Sequence, residues 1–284
     1  MTVREFVVAA SKRLSAQTGL QCADPLLHAK QMAEYLFSFS TSDLYLKWDE
    51  AISDVDAARG EAFLAKRLAG EPFQYLVGFE WFWNSKFKVG PGVLIPRRET
   101  EFIVEALVSE TNPAARVAEL GAGTGNIGIS VCLEKPEWDW HAFELNPESV
   151  PYLKQNVAAL LPASSKYEIH ATDFFEGAAS FAPYDWIVSN PPYLSELDLQ
   201  QLPREVTHEP RLALYGGDLG FELIERLIKF SKKILRPGGK FICEVGLGQS
   251  DPVALILEQS HFFAIQIRQD YSGIARLLSA TNSM

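Results

Sequence analysis

The sequence predicts an α/β fold, a Rossmann-like doubly wound parallel sheet behind a small helical bundle, and three observations point to it. Apolar runs of buried-strand type, at Arg116 to Gly121, Trp138 to Leu145, Tyr167 to Asp173, Tyr184 to Ser189 and Lys240 to Val245, alternate with helical segments. A glycine-rich turn, Gly121-Ala122-Gly123-Thr124-Gly125, follows the first run and opens a helix reaching about Leu133. The first seventy residues show apolar positions at helical spacing.

Taken in order, Val3 to Leu14, Asp24 to Phe37 and Ser53 to Leu68 read as amphipathic helices, with a short turn from Ser42 to Trp48. Asp24 caps the second of them and Pro25 fills its first position, where no backbone donor is needed. Residues 1–70 are thus expected to form a bundle able to hold a macromolecular substrate. Residues 71–100 are expected to form a β-hairpin linker, because Phe73, Tyr75, Phe79, Trp81, Phe82, Trp83 and Phe87 crowd around Gly78. A nucleotide-stacking platform is the alternative, and the absence of a basic groove weighs against it. Residues 101–284 carry the sheet. Asn146 as cap and Pro147 at the first position would start a helix after the second strand. Ser195 to Gly220 is long and irregular and suits a lid. A helix from Phe221 to Leu235 ends at Pro237-Gly-Gly239, and the chain closes with a helix from Pro252 to Gln259 and strands near Ala264 to Arg268 and Ile274 to Ala280.

Composition bounds the function. The chain has 284 residues, 47% hydrophobic and 22% charged, as in ordinary globular proteins. Its formal charge of −10 and pI near 5.1 disfavour direct nucleic-acid binding and suit a basic protein partner. Cys22, Cys132 and Cys243 are isolated, so a reducing cytoplasm is expected. The five histidines show no ligand spacing, and no metal is expected. No apolar run approaches the ~18 residues of a membrane span, so neither membrane insertion nor a signal peptide is expected.

Chemistry concentrates after the fourth strand, in Asn190-Pro191-Pro192-Tyr193. The prolines fix φ and remove two backbone donors, so the strand ends there and Asn190 projects into a cleft. A planar nitrogen is a poor nucleophile because its lone pair is delocalised. The Asn190 side-chain oxygen and the Pro191 carbonyl can accept both hydrogens of an –NH₂ group and favour its pyramidal form, while Tyr193 stacks on the flat group. The bland alternative is a strand followed by a proline-capped loop. Upstream, the glycines permit close approach of a ligand, and a dinucleotide loop is the natural competitor. Asn126 stands where the third glycine of that fingerprint would be, and Glu119, two residues before Gly121, would repel a pyrophosphate and attract an ammonium or sulfonium. Glu144 at the end of the second strand can accept two ribose hydroxyls, or be a charged residue at a helix start. Asp173 and Phe174 offer an adenine an acceptor and a ring face, with core packing of Phe174 or Phe175 as the alternative.

With Glu119-Leu-Gly-Ala-Gly-Thr-Gly125, Asn190-Pro-Pro-Tyr193, Leu94-Ile-Pro-Arg97 followed by Glu99-Thr-Glu101, and Glu209-Pro-x-x-Ala-Leu214, the chain resembles the release-factor glutamine methyltransferases over nearly its whole length. The resemblance implies a class I methyltransferase sheet with S-adenosyl-L-methionine as donor. The implied acceptor is the Gly-Gly-Gln glutamine of peptide chain release factors, methylated on N5. Carried over by position, Gly121, Ala122, Gly123, Thr124, Gly125, Glu144, Phe174 and Asn190 contact the donor, and Asn190, Pro191, Pro192 and Tyr193 hold the glutamine. Arg98 stands where the family usually has proline, and Glu144 where the shorter Asp is commoner. A monomer is expected. The competing functions are N-methylation of adenine or cytosine in DNA and a non-catalytic adenosyl-binding scaffold.

Overall fold

The computed structural model describes residues 1–17, 22 and 24–283; residues 18–21 and 23 of the expected bundle lie outside them. The chain forms two compact units, residues 1–78 with 202–208, and residues 79–201 with 209–284.

The first unit is helical: α1 (Val3–Ala16), α2 (Pro25–Phe37), α3 (Thr41–Leu46), α4 (Asp54–Leu68) and α5 (Phe73–Val77). Its core is the apolar faces expected from periodicity, with Phe6, Val7, Ala10, Met32, Ala33, Leu36 and Leu64 buried. Asp24 caps α2 as expected, its side chain accepting from the Leu26 and Leu27 amides. The expected turn at 42–48 is a helix instead, because Ser40 and Asp43 cap it reciprocally. Helix α5 lies in the stretch read as hairpin. Pro72 precedes it, Gly78 ends it at φ 81°, and Phe73 packs edge-on against Phe63 and His28. One buried cation organises the unit: Arg67 reaches His28 Nε2 at 3.1 Å and Glu205 Oε1 at 2.9 Å.

In the second unit the hairpin is β1 (Phe79–Phe82) with β2 (Ser85–Lys88), and Phe82 and Phe87 enter the core. The strands of the sheet are β3 (Arg116–Leu120), β4 (Asp139–Phe143), β5 (Tyr167–His170), β6 (Tyr184–Ser189), β7 (Leu235–Glu244), β8 (Phe262–Gln269) and β9 (Ala275–Asn282). They lie in the order β5-β4-β3-β6-β7-β9-β8, parallel from β5 to β7 and antiparallel beyond. Alternation along the strands feeds two cores. Val117, Trp140, Val188 and Ile242 face one side, with residues of α6 (Glu101–Val108), α7 (Asn126–Glu134) and α8 (Val150–Leu160). Ala118, Phe143, Ile187 and Phe241 face the other, with α11 (Glu222–Ile234) and α12 (Ser250–Gln259). Helices on both faces make the sheet doubly wound.

Two boundaries differ from expectation. Pro237 to Gly239 lie within β7 at a register irregularity opposite Tyr184 to Trp186, so they form a bulge and do not separate helix from strand. Helix α8 starts at Val150, after a turn over residues 147–149 that Asn146 caps as expected, its side chain accepting from the Glu148 amide and donating to the Gly92 carbonyl. The stretch read as irregular from Ser195 holds α10 (Glu196–Leu199) and two 3₁₀ turns, Val206–His208 and Arg211–Ala213.

Candidate functional site

The site grows out of the pairing of β3 with β6. Leu120 is opposite Ser189, and the Ser189 hydroxyl donates to the Leu120 carbonyl at 2.8 Å, so the glycine turn and the Asn-Pro-Pro-Tyr corner leave the sheet side by side. This is the crevice where strand order reverses. A cavity of about 510 Å³ opens there, lined by Gly121 to Thr124, Glu144, Asp173, Phe174, Phe175, Asn190 and Pro192, with Leu94, Arg97, Thr100, Leu212 and Tyr215 around them. A second depression of about 530 Å³ lies at the opposite ends of the strands. Its charges are already paired, Arg116 with Asp139 at 2.9 Å and Asp185 with the Arg116 amide at 2.6 Å.

The turn needs its glycines: Gly121, Gly123 and Gly125 sit at φ 74°, 56° and 80°, a left-handed conformation that side chains resist. Glu144 braces it. One carboxylate oxygen accepts from the Gly123 amide at 2.6 Å and the other from the Asn146 amide at 2.7 Å. Burial holds the Glu144 carboxyl above its usual range, against these amides. Each oxygen keeps a second lone pair, so the ribose role expected of Glu144 is compatible with the bracing role. Asp173 caps α9 (Phe174–Gly177) through the Phe175 amide, and Phe174 and Phe175 present rings to the cavity, with the Arg226 guanidinium 3.5 Å from the Phe175 ring centre.

Three expected contacts fall elsewhere. Glu119 is buried away from the cavity, where its Oε2 accepts from Trp140 Nε1 at 2.8 Å. Burial pushes its pKa to about 8, so at neutral pH it holds a proton and has no charge with which to attract a cation. Gly125 turns inward, where a Cβ would meet Leu153 and Ile129. Tyr193 does not line the cavity where it could stack on an acceptor: it is half-buried against the second core, and its hydroxyl donates to Glu244 Oε1 at 3.1 Å. Pro191 is also buried, while Asn190 and Pro192 reach the cavity.

The residues that sequence reasoning missed lie behind Asn190. The Asn190 side-chain nitrogen donates to Thr100 Oγ1 at 2.9 Å, and that hydroxyl donates to Glu244 Oε2 at 2.6 Å. Thr100 and Glu244 are both buried, and burial lifts the Glu244 pKa to about 7. A carboxylate in the apolar run Phe241-Ile-Cys-Glu-Val245 was the available signal. Arg97 pairs with Glu209, whose other oxygen accepts from the Ile95 amide at 3.0 Å, so the Leu94 to Arg97 and Glu209 to Leu214 segments meet beside the cavity.

The histidines also differ from what spacing suggested. His141 Nδ1 lies 3.0 Å from His170 Nε2 with Glu168 at 3.7 to 3.8 Å, the one group among the described residues close enough to share an ion. The two rings are in hydrogen-bond contact, and Phe181 packs on both.

The methyltransferase small domain family matches residues 97–214, and the PrmC N-terminal domain family matches residues 5–78. A release factor glutamine methyltransferase of Koribacter versatilis (strain Ellin345) is 31% identical over 281 residues, 98% of each chain. One of Moorella thermoacetica is 32% identical over 283 residues, 99% of this chain and 98% of the other. In fold the chain is similar to a methyltransferase from Pyrococcus furiosus (TM-score 0.52, 15% identity, 80% of this chain and 100% of that one). It is also similar to a Thermus thermophilus 16S rRNA N2 G1207 methyltransferase in complex with AdoMet and guanosine (TM-score 0.51, 20% identity, 72% of this chain and 49% of that one).

Proposed function

The chain belongs to the release factor glutamine methyltransferase family, and from that premise we propose how its residues methylate a release-factor glutamine. The enzyme transfers a methyl group from S-adenosyl-L-methionine to the side-chain amide nitrogen, N5, of the glutamine in the Gly-Gly-Gln motif, and so modulates translation termination. The observation that carries the assignment of roles is the Leu120 to Ser189 pairing, which opens the glycine turn and Asn190 onto one cavity.

The cavity fits the donor: left-handed glycines allow close approach, the Glu144 carboxylate suits a ribose, and Asp173 with Phe174 suits an adenine. When bound, the donor supplies a methyl group on a sulfonium, and the electron pair of the broken C–S bond returns to sulfur. Asn190 Oδ1 and the Pro191 carbonyl accept the two amide hydrogens, which draws the nitrogen lone pair out of conjugation and toward that carbon. Once methylated, the nitrogen is acidic and loses a proton to a carbonyl or water, so no strong base is required. Pro192 shapes the wall, and Tyr193 acts from behind through its bond to Glu244.

Mass spectrometry of a release factor incubated with enzyme and donor should locate one added methyl on the Gly-Gly-Gln glutamine. Asn190→Ala should lower turnover by roughly 10²- to 10³-fold, as loss of an electrostatic contact to the transition state does, while the fold persists. Full activity in that variant sinks the assignment. Among the described residues no helix is long and apolar enough to cross a membrane. The three free cysteines support a cytoplasmic setting, and the acidic charge supports a protein partner.

A further inference from the structure

Asn190 can act on an amide only if its own side-chain amide presents oxygen, not nitrogen, to the cavity. The two ends are nearly isosteric, so hydrogen bonding decides between them. Behind Asn190 runs a short chain of bonds: Asn190 Nδ2 to Thr100 Oγ1 at 2.9 Å, Thr100 Oγ1 to Glu244 Oε2 at 2.6 Å, and Tyr193 to Glu244 Oε1 at 3.1 Å. An ionised carboxylate is acceptor-only. Facing two hydroxyls, it takes the hydrogen of each, and Thr100, with a single hydrogen, is left with lone pairs alone to offer Asn190. Those lone pairs require the Asn190 nitrogen, and the oxygen is turned to the cavity.

We propose that Glu244 is a positioning residue which, acting through Thr100, sets the orientation of the Asn190 amide and thereby its ability to accept from the substrate nitrogen. This rests on the role assigned to Asn190 above. A proton on Glu244 changes the direction of the chain. The carboxyl becomes a donor toward Thr100, the Thr100 hydrogen is released toward Asn190, and the amide is free to turn its nitrogen to the cavity, where it faces the hydrogens of the acceptor.

Glu244 is placed for such a response. It is 2% exposed at the end of β7, and burial is the chief cause that lifts its pKa to about 7. Glu99 raises it further, while the bonds from Thr100 and Tyr193 and the Arg276 charge on β9 lower it. Arg97 acts on the neighbouring Tyr193. Loss of the carboxylate on acidification should therefore lower turnover without emptying the donor site.

The test uses the full-length enzyme with a release factor and labelled donor, measuring kcat and KM from about pH 6 to 9, with donor affinity by calorimetry. Wild-type kcat should fall on the acid side with a midpoint near 7. Glu244→Gln cannot ionise and presents one acceptor where the carboxylate presents two. Its kcat should drop by about tenfold and lose the acid limb, with donor affinity unchanged. Thr100→Val, which can neither accept nor donate, should lower kcat by roughly 10- to 100-fold, and Thr100→Ser should restore most of it. An unaltered acid limb in Glu244→Gln, equal activity of the Val and Ser variants, or loss of donor affinity in step with kcat overturns the inference. Asn190→Ala separates the two readings. If it is inert while Glu244→Gln matches wild type, the relay alone falls; if it is fully active, the role of Asn190 falls first and the relay with it.

Discussion

A single carboxylate shows how far a residue's identity and its surroundings can point apart. Glu119 stands two positions before the glycine turn, where its charge suggested a ligand for a cation, yet its alternate position on β3 aims it into the core beside Trp140. Strand parity decides this, and motif spacing does not report it. The folded pKa, about 8, is raised above the ordinary 4.5, so the folded state keeps a proton that the unfolded chain gives up. The associated stability is fully present below about pH 4.5 and is lost as pH rises through about 8. Thermal melts should therefore show a Tm that declines from about pH 6 to 9, and a shallower decline in Glu119→Gln. Parallel slopes for the two proteins would count against a buried, protonated Glu119. Asn190, by contrast, could be identified from sequence because two prolines allow few local structures. Glu244 stands out only as a carboxylate in an apolar run, and neither it nor Thr100 could be given a role, since that role depends on contacts 90 and 144 residues distant along the chain.

Among elements, β3, β4, β6 and their neighbours were readable because strands buried on both faces are nearly continuous apolar runs bounded by turns. Helix α5 is not legible in the sequence because its aromatic residues have high strand propensity, and only the packing of Phe73 on Phe63 and His28 favours the helix. The bulge at Pro237 to Gly239 has the same sequence signature as a helix stop, since proline and glycine punctuate both. The link between α4 and the 202–208 segment had no local signature at all. Arg67 is 1% exposed and is held by His28, the Glu71 carbonyl and Glu205. Arg67→Ala removes a buried cation together with these three bonds, so it should destabilise the helical unit by about 3–5 kcal/mol. Urea unfolding followed by far-ultraviolet ellipticity measures this, and a change within about 0.5 kcal/mol, as at an ordinary surface site, would show that the pair does not hold the unit together.

For the whole molecule, net charge and the pairing of domains matter most. At −10 the enzyme should draw a basic partner over long range, and this attraction is screened over about 8 Å at physiological salt. Raising salt from about 0.05 to 0.3 M should lower kcat/KM for a release factor through a slower encounter, with kcat unaffected. Filter binding should detect no salt-sensitive retention of duplex DNA. A salt-independent kcat/KM would remove electrostatic steering from the account.

The helical unit is not a continuous length of chain, because residues 202–208 complete it from far downstream. Arg67 and Glu205 are 138 residues apart, and a ribosome adding about 5–20 residues each second needs roughly 7 to 28 s to pass from one to the other. During that interval the nascent bundle carries a guanidinium whose carboxylate has not yet been made. No single scission of the polypeptide can separate the finished halves, and a fragment ending at Gly78 should be less stable than the same helices in the full-length protein.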